Sequence, residues 1–140
     1  MIVYFDTSAL LPVLIEEQGS ATAVRLWDEA ERVLSVRLLH AEARAALAQA
    51  VRVGRIASRS LPALVDGFES LYGQLDQMEV DDALVCRAGD LAQGQGLRGY
   101  DAVHLAGAER VNGSDVVFAA GDTALLEAAR SLGISVARTA

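Results

Sequence analysis

The chain has 140 residues, 52% of them apolar, which fits a single domain over 1–140 able to bury a core without staples. Its 12 basic residues are all arginines, so a P-loop, a Schiff-base enzyme and any lysine general base are excluded, while one cysteine (Cys86) and two histidines (His40, His104) leave neither a disulfide nor a zinc set. The formal net charge of −7 argues against coating nucleic acid through a positive field, though not against an enzyme whose own site is acidic.

In chain order, Ile2 to Asp6 reads as a buried strand closed by a carboxylate, and a helix is expected from about Ala9, with Pro12 near its first turn. Gly19-Ser20 breaks the chain before an amphipathic helix over Ala21–Glu31, and Val33–Val36 is a second strand. Leu38–Val53 is an alanine-rich helix ended by Gly54. A helix from Ser60-Leu61-Pro62 to about Gln77 precedes a short strand at Met78–Val80. Asp81-Asp82 then cap a helix through Ala92. After Gly94–Gly99, a helix over Tyr100–Val111, a strand at Val116–Ala119, a helix over Thr123–Leu132 and a strand at Ile134–Val136 complete the chain. Strands separated by helices predict an α/β fold, a short parallel sheet of four to five strands with helices on both faces.

Gly94-Gln95-Gly96-Leu97-Arg98-Gly99 matches the dinucleotide fingerprint G-x-G-x-x-G. That motif works only where a strand feeds it, and here a helix precedes it, so the glycines read as a flexible connection.

Four acids occupy positions that merit chemistry. Asp6 and Asp122 each follow a strand, Asp101 opens a helix, and Glu42 sits on an apolar helix side with no base three or four residues away. Each aspartate alone also reads as a helix cap. A parallel sheet would bring all four segments to one edge, where four carboxylates stay ionised only with cations beside them. Mg²⁺ or Mn²⁺ is the natural counter-charge for an all-oxygen site. For gripping phosphate, Arg52, Arg55 and Arg59 form the densest basic cluster, with Arg37 and Arg44 nearer Glu42; rim contacts to a partner are the competing role.

At these residues the chain resembles the PIN-domain ribonucleases, and among them the VapC toxins of bacterial toxin–antitoxin pairs. The resemblance runs through Ile2–Leu10, Glu42, Leu97–Ala106, Gly121–Leu126 and Ala128–Gly133. It implies a PIN-like three-layer sandwich in which Asp6, Glu42, Asp101 and Asp122 bind Mg²⁺ or Mn²⁺. It also implies an endoribonuclease whose metal-activated water attacks phosphorus in line, leaving 5′-phosphate and 3′-hydroxyl ends. An RNA substrate, a homodimer and a cognate antitoxin covering the site are implied as well, and Leu10, Leu14, Leu26 and Trp27 are candidates for that surface or for the core. The family often has a hydroxyl two residues before the last aspartate; Ala120 stands there, leaving Ser8 or Thr123 to supply the supporting hydrogen bond. His104, one turn after Asp101, reads as a histidine packed beside the site and not as a general acid.

With no apolar run of about 18 residues and no basic leader, a cytoplasmic protein is expected. A receiver domain is excluded by the missing lysine, and a haloacid-dehalogenase-type phosphatase by Ser8 where its second aspartate belongs. A non-catalytic module on a PIN-like fold, or a PIN nuclease of RNA processing without an antitoxin, stays open.

Overall fold

Residues 1–139 are described in the structure, a computed structural model. Strands Ile2–Phe5 (β1), Arg32–Val36 (β2), Asp76–Met78 (β3), Val116–Ala120 (β4) and Ser135–Arg138 (β5) form one sheet in the order β3-β2-β1-β4-β5. Every neighbouring pair is parallel. The helices are Thr7–Leu14 (α1), Ser20–Glu29 (α2), Leu38–Arg52 (α3), Leu61–Gln74 (α4), Asp82–Gln95 (α5), Gly99–Arg110 (α6) and Thr123–Ser131 (α7).

Alternation along the strands sorts the chain into three layers. Val3 and Phe5 of β1 face a core made with α1 to α4, whereas Tyr4 points the other way, into a core made with α5, α6 and α7. In β4, Ala119 joins the first core, Phe118 and Ala120 the second. Phe5 and Phe118 expose no surface, and burial of each contributes roughly 1.5–3 kcal/mol. Leu10 and Leu26 are buried in the first core, which withdraws them from any partner surface, while Leu14 and Trp27 are half-buried at its rim.

The strand order sets the place of the site. From β1 the sheet grows through β2 to β3 on one side, and β4 and β5 lie on the other, so the winding reverses between β1 and β4. Ligands of open parallel sheets bind beyond the carboxyl ends at such a reversal. Phe5 pairs with Ala119, and the Asp6 amide donates to the Ala119 carbonyl at 3.0 Å. Asp6 and the Gly121-Asp122 turn therefore leave the sheet side by side.

Several boundaries differ from the sequence reading, among them α2, which ends at Glu29 and not Glu31, and β5, which is Ser135–Arg138 and not Ile134–Val136. Helix α1 starts at Thr7, two residues before Ala9, because Asp6 caps it directly. Helix α4 stops at Gln74 and β3 is Asp76–Met78, ahead of the expected Met78–Val80. Tertiary pairing decides this against a polar, helix-like sequence: Asp76 pairs with Leu34 in the sheet and with Arg32 through side chains, while Arg37 binds Gln77. Finally, Gly94 lies inside α5, Gly96 ends it in the left-handed region (φ 66°) and Gly99 opens α6. The glycine stretch is thus a tight helix–helix elbow, and no strand feeds it.

Candidate active site

Asp6, only 5% exposed, is fixed by its neighbours in sequence and space. Its Oδ2 accepts from the Ser8 amide at 3.1 Å and from the Ser8 hydroxyl, which itself accepts from the Gly121 amide at 2.9 Å. Ser8 thus ties the end of β1 to the turn after β4. The cap of α1 is Asp6 itself, not Thr7 or Ser8, and Thr7 is turned to another acid.

That acid is Glu42 of α3. Its Oε1 accepts from Thr7 Oγ1 at 3.0 Å and from His104 Nε2 at 2.6 Å. His104, on α6, exposes no surface, and its Nδ1 lies 3.0 Å from the Tyr4 hydroxyl of β1. The compensation that Glu42 needs thus crosses the sheet edge from the opposite helical layer. Burial pulls the His104 imidazolium down, but the hydrogen bond to Glu42 and the charges of Asp6, Glu42 and Asp101 together hold it above its ordinary range. Burial likewise drives the Tyr4 phenol well above its ordinary value, so it stays protonated.

Asp101, in the first turn of α6, accepts from Arg98 Nε at 2.8 Å. Burial pushes its carboxyl up; Arg98 opposes this, and the charges of Asp6 and Asp122 add to the rise. Asp101 therefore lies within electrostatic reach of both other aspartates. Asp122 caps α7, its Oδ1 accepting from the Leu125 amide at 2.8 Å. Thr123 supports none of the acids: its hydroxyl accepts from Arg138 at 2.9 Å, so Ser8 is the hydroxyl beside Asp6.

The donor set is oxygen-only and its surplus of negative charge is marked by Asp101, which fits a hard divalent cation. The acids do not form a closed cage, since no group of three carboxylate, imidazole or thiol side chains stands ready to hold an ion among the described residues. A groove of about 350 Å³ walled by Leu11, Ile15, Ala46 and Ala50 opens onto Ser8 and Asp122, with Arg55 and Glu17 at its rim. A hollow of about 370 Å³ beside Trp27 and Arg32 lies at the amino end of β2, away from the acids.

Of the expected phosphate-gripping arginines, Arg55 lines the groove that reaches Asp122, and none contacts a site acid. Arg37 binds Glu79 and Gln77, Arg44 binds Glu69, Arg55 binds Glu17 and Arg52 reaches Gln49, while exposed Arg59 lies on the turn before α4. The guanidinium that contacts a site acid is Arg98, missed from sequence although its spacing of three residues before Asp101 at a helix start was readable. Thr7 and Tyr4 were missed too, because their partners lie 35 and 100 residues away.

A family model described as "PIN domain" matches residues 3–137. Over 136 residues the chain is 38% identical to "Ribonuclease VapC45" of Mycobacterium tuberculosis, covering 97% of this chain and 94% of that protein. Among solved structures, PAE2754 from Pyrobaculum aerophilum superposes with a TM-score of 0.70 at 20% identity, over 97% of this chain and 83% of that one. VapBC2 from Rickettsia felis, bound to a DNA fragment from its promoter, superposes with a TM-score of 0.66 at 11% identity, over 99% of this chain and 98% of that one.

Proposed function

The chain belongs to the PIN-domain family, and from that premise we propose that it is a toxin endoribonuclease of the VapC kind, dependent on Mg²⁺ or Mn²⁺. What supports the proposal is that Asp6, Asp101 and Asp122 stand where the sheet's winding reverses, and that Asp101, its carboxyl raised first by burial, also feels the charges of the other two. Acids brought together at such a cost, in a chain without lysine, are suited to holding a divalent cation.

Asp6, Glu42, Asp101 and Asp122 would hold the ion or ions. When bound, a divalent cation supplies a nucleophilic water at neutral pH and stabilises charge on the scissile phosphate, which yields 5′-phosphate and 3′-hydroxyl ends. The chain's own groups set the geometry. Strand β1 and Ser8 fix the Asp6 carboxylate, and one oxygen of Glu42 is pinned by Thr7 and His104 while the other has no hydrogen-bond partner among the described residues. Burial of Asp6 and His104 keeps bulk water from one side of the acids. A homodimer and an antitoxin that covers the crevice complete the reading, and no helix among the described residues is long and apolar enough to cross a membrane.

The test is cleavage of end-labelled RNA in Mg²⁺ or Mn²⁺ by wild type, Asp6→Asn and Asp101→Asn. Each substitution should slow cleavage by roughly 10²-fold or more. Products should resist 5′-labelling by a kinase until dephosphorylated. Equal cleavage by all three proteins would refute the assignment.

A further inference from the structure

An acidic nuclease must still hold a polyanion, and Arg37, Arg44 and Arg55 are each paired with an acid, Glu79, Glu69 and Glu17, while none of the arginines from Arg37 to Arg59 contacts a site acid. Arg98 differs in placement. Its Nε donates to Asp101 while its side chain stays 65% exposed, and its remaining N–H donors have no partner among the described residues. Asp101 thus aims the guanidinium and leaves its outer edge free.

Beside it stands Tyr100. This ring is 46% exposed, whereas Tyr4 and Tyr72 are buried, and the Arg98 guanidinium carbon lies 5.1 Å from its centroid. One face of the ring thus carries the Arg98 guanidinium, and the residue remains exposed beside a site acid. Exposed aromatic rings and planar guanidinium groups are the surfaces on which unpaired bases stack, and an arginine edge is the natural ligand of a phosphate. Resting on the nuclease reading above, we propose that Arg98 and Tyr100 form the clamp that seats single-stranded RNA at the carboxylate crevice, Arg98 taking a backbone phosphate next to the scissile one and Tyr100 stacking the adjoining base. The clamp selects unpaired RNA, because a base held in a duplex cannot lie on Tyr100.

The test is fluorescence anisotropy with a fluorescein-labelled, phosphorothioate single-stranded RNA in Mn²⁺, titrated at several salt concentrations. Arg98→Gln and Tyr100→Ala should each weaken binding by about 10- to 100-fold. Arg98→Gln should also flatten the slope of log affinity against log salt by about 0.7, one phosphate contact on a single strand, whereas Tyr100→Ala leaves the slope as in wild type. Tyr100→Phe should bind as wild type, and Arg98→Lys should keep the slope. Both side chains are exposed, so melting temperatures should stay near wild type and separate a binding loss from misfolding. Wild-type binding and slope in both Arg98→Gln and Tyr100→Ala would overturn the clamp while leaving the nuclease reading intact, as would loss of a protein partner with RNA binding unchanged. A wild-type protein that neither binds nor cleaves RNA would overturn both.

Discussion

Gly107 is where helix α6 meets the sheet most closely, and replacing it tests whether packing there governs the site. A Cβ at this position would lie 2.8 Å from Tyr4 Oη, 3.0 Å from Val36 Cγ1 and 3.1 Å from Tyr4 Cε2. In a helix interior Gly107→Ala by itself gains about 1 kcal/mol. Overpacking costs about 1–3 kcal/mol, and here it should prevail, because neither neighbour can retreat. Tyr4 exposes no surface and is wedged between His104 and Phe118, with ring centroids 5.9 and 5.5 Å away, and Val36 is 1% exposed on a neighbouring strand. The expected net loss is up to about 2 kcal/mol, a fall in Tm of up to roughly 8 °C for a domain of this size. Gly89→Ala is the control: on the exposed side of α5, its Cβ meets nothing within 4 Å, so it should gain about 0.5–1 kcal/mol. Urea and thermal unfolding of the three proteins decide the matter. A Gly107→Ala protein as stable as Gly89→Ala would refute the reasoning. The displaced Tyr4 hydroxyl should also loosen His104 and, through it, Glu42, lowering Mn²⁺ affinity by about 10-fold.

Tyr4→Phe removes the hydroxyl that faces His104 Nδ1 without changing the ring, and should cost about 1 kcal/mol in urea unfolding. Asp101→Asn should raise the Tm of the metal-free protein, because burial and neighbouring acids already disfavour its charge, and should reduce the Tm gain produced by Mn²⁺. Asp81 gives a pH prediction. Arg110 and the Leu84 amide depress its carboxyl to about 2, so the stability from this group is present above the unfolded value and lost as pH falls from about 4 towards 2. Asp81→Asn retains a capping side chain, and its Tm deficit should shrink between pH 5 and 3 and in high salt, where an exposed pair is screened.

What could be read from the chain follows from the range of the forces involved. Strands such as Ile2–Phe5 and Val116–Ala120 are legible because fully buried parallel strands are continuous apolar runs, and Asp6 and Asp122 because each follows such a run directly. β3 was misplaced because Asp76-Gln77-Met78 carries no strand pattern; pairing with β2, the Arg32–Asp76 ion pair and the Arg37–Gln77 hydrogen bond make it one. Glu42 was legible as an acid needing help, but not as the acceptor of His104, which lies 62 residues further along the chain. Density of arginines along the chain likewise does not say which acids lie opposite them in space: Arg44 meets Glu69 and Arg55 meets Glu17.

The way each site acid is held explains why an acidic chain can keep a charged crevice and still place a cation at its mouth. Asp6 is held by Ser8, Glu42 by Thr7 and His104, and Asp122 by a backbone amide, so hydrogen bonds fix these carboxylates without an arginine or lysine neutralising them. Asp101 alone among the four has a guanidinium partner, and that partner stays two-thirds exposed. Had Arg98 been buried against all three aspartates, its charge would have been desolvated and a metal ion would have to compete with it. Hung from Asp101 by one nitrogen, it leaves the interior of the crevice anionic for a divalent ion and turns its free edge to the solvent, from which a phosphodiester must arrive.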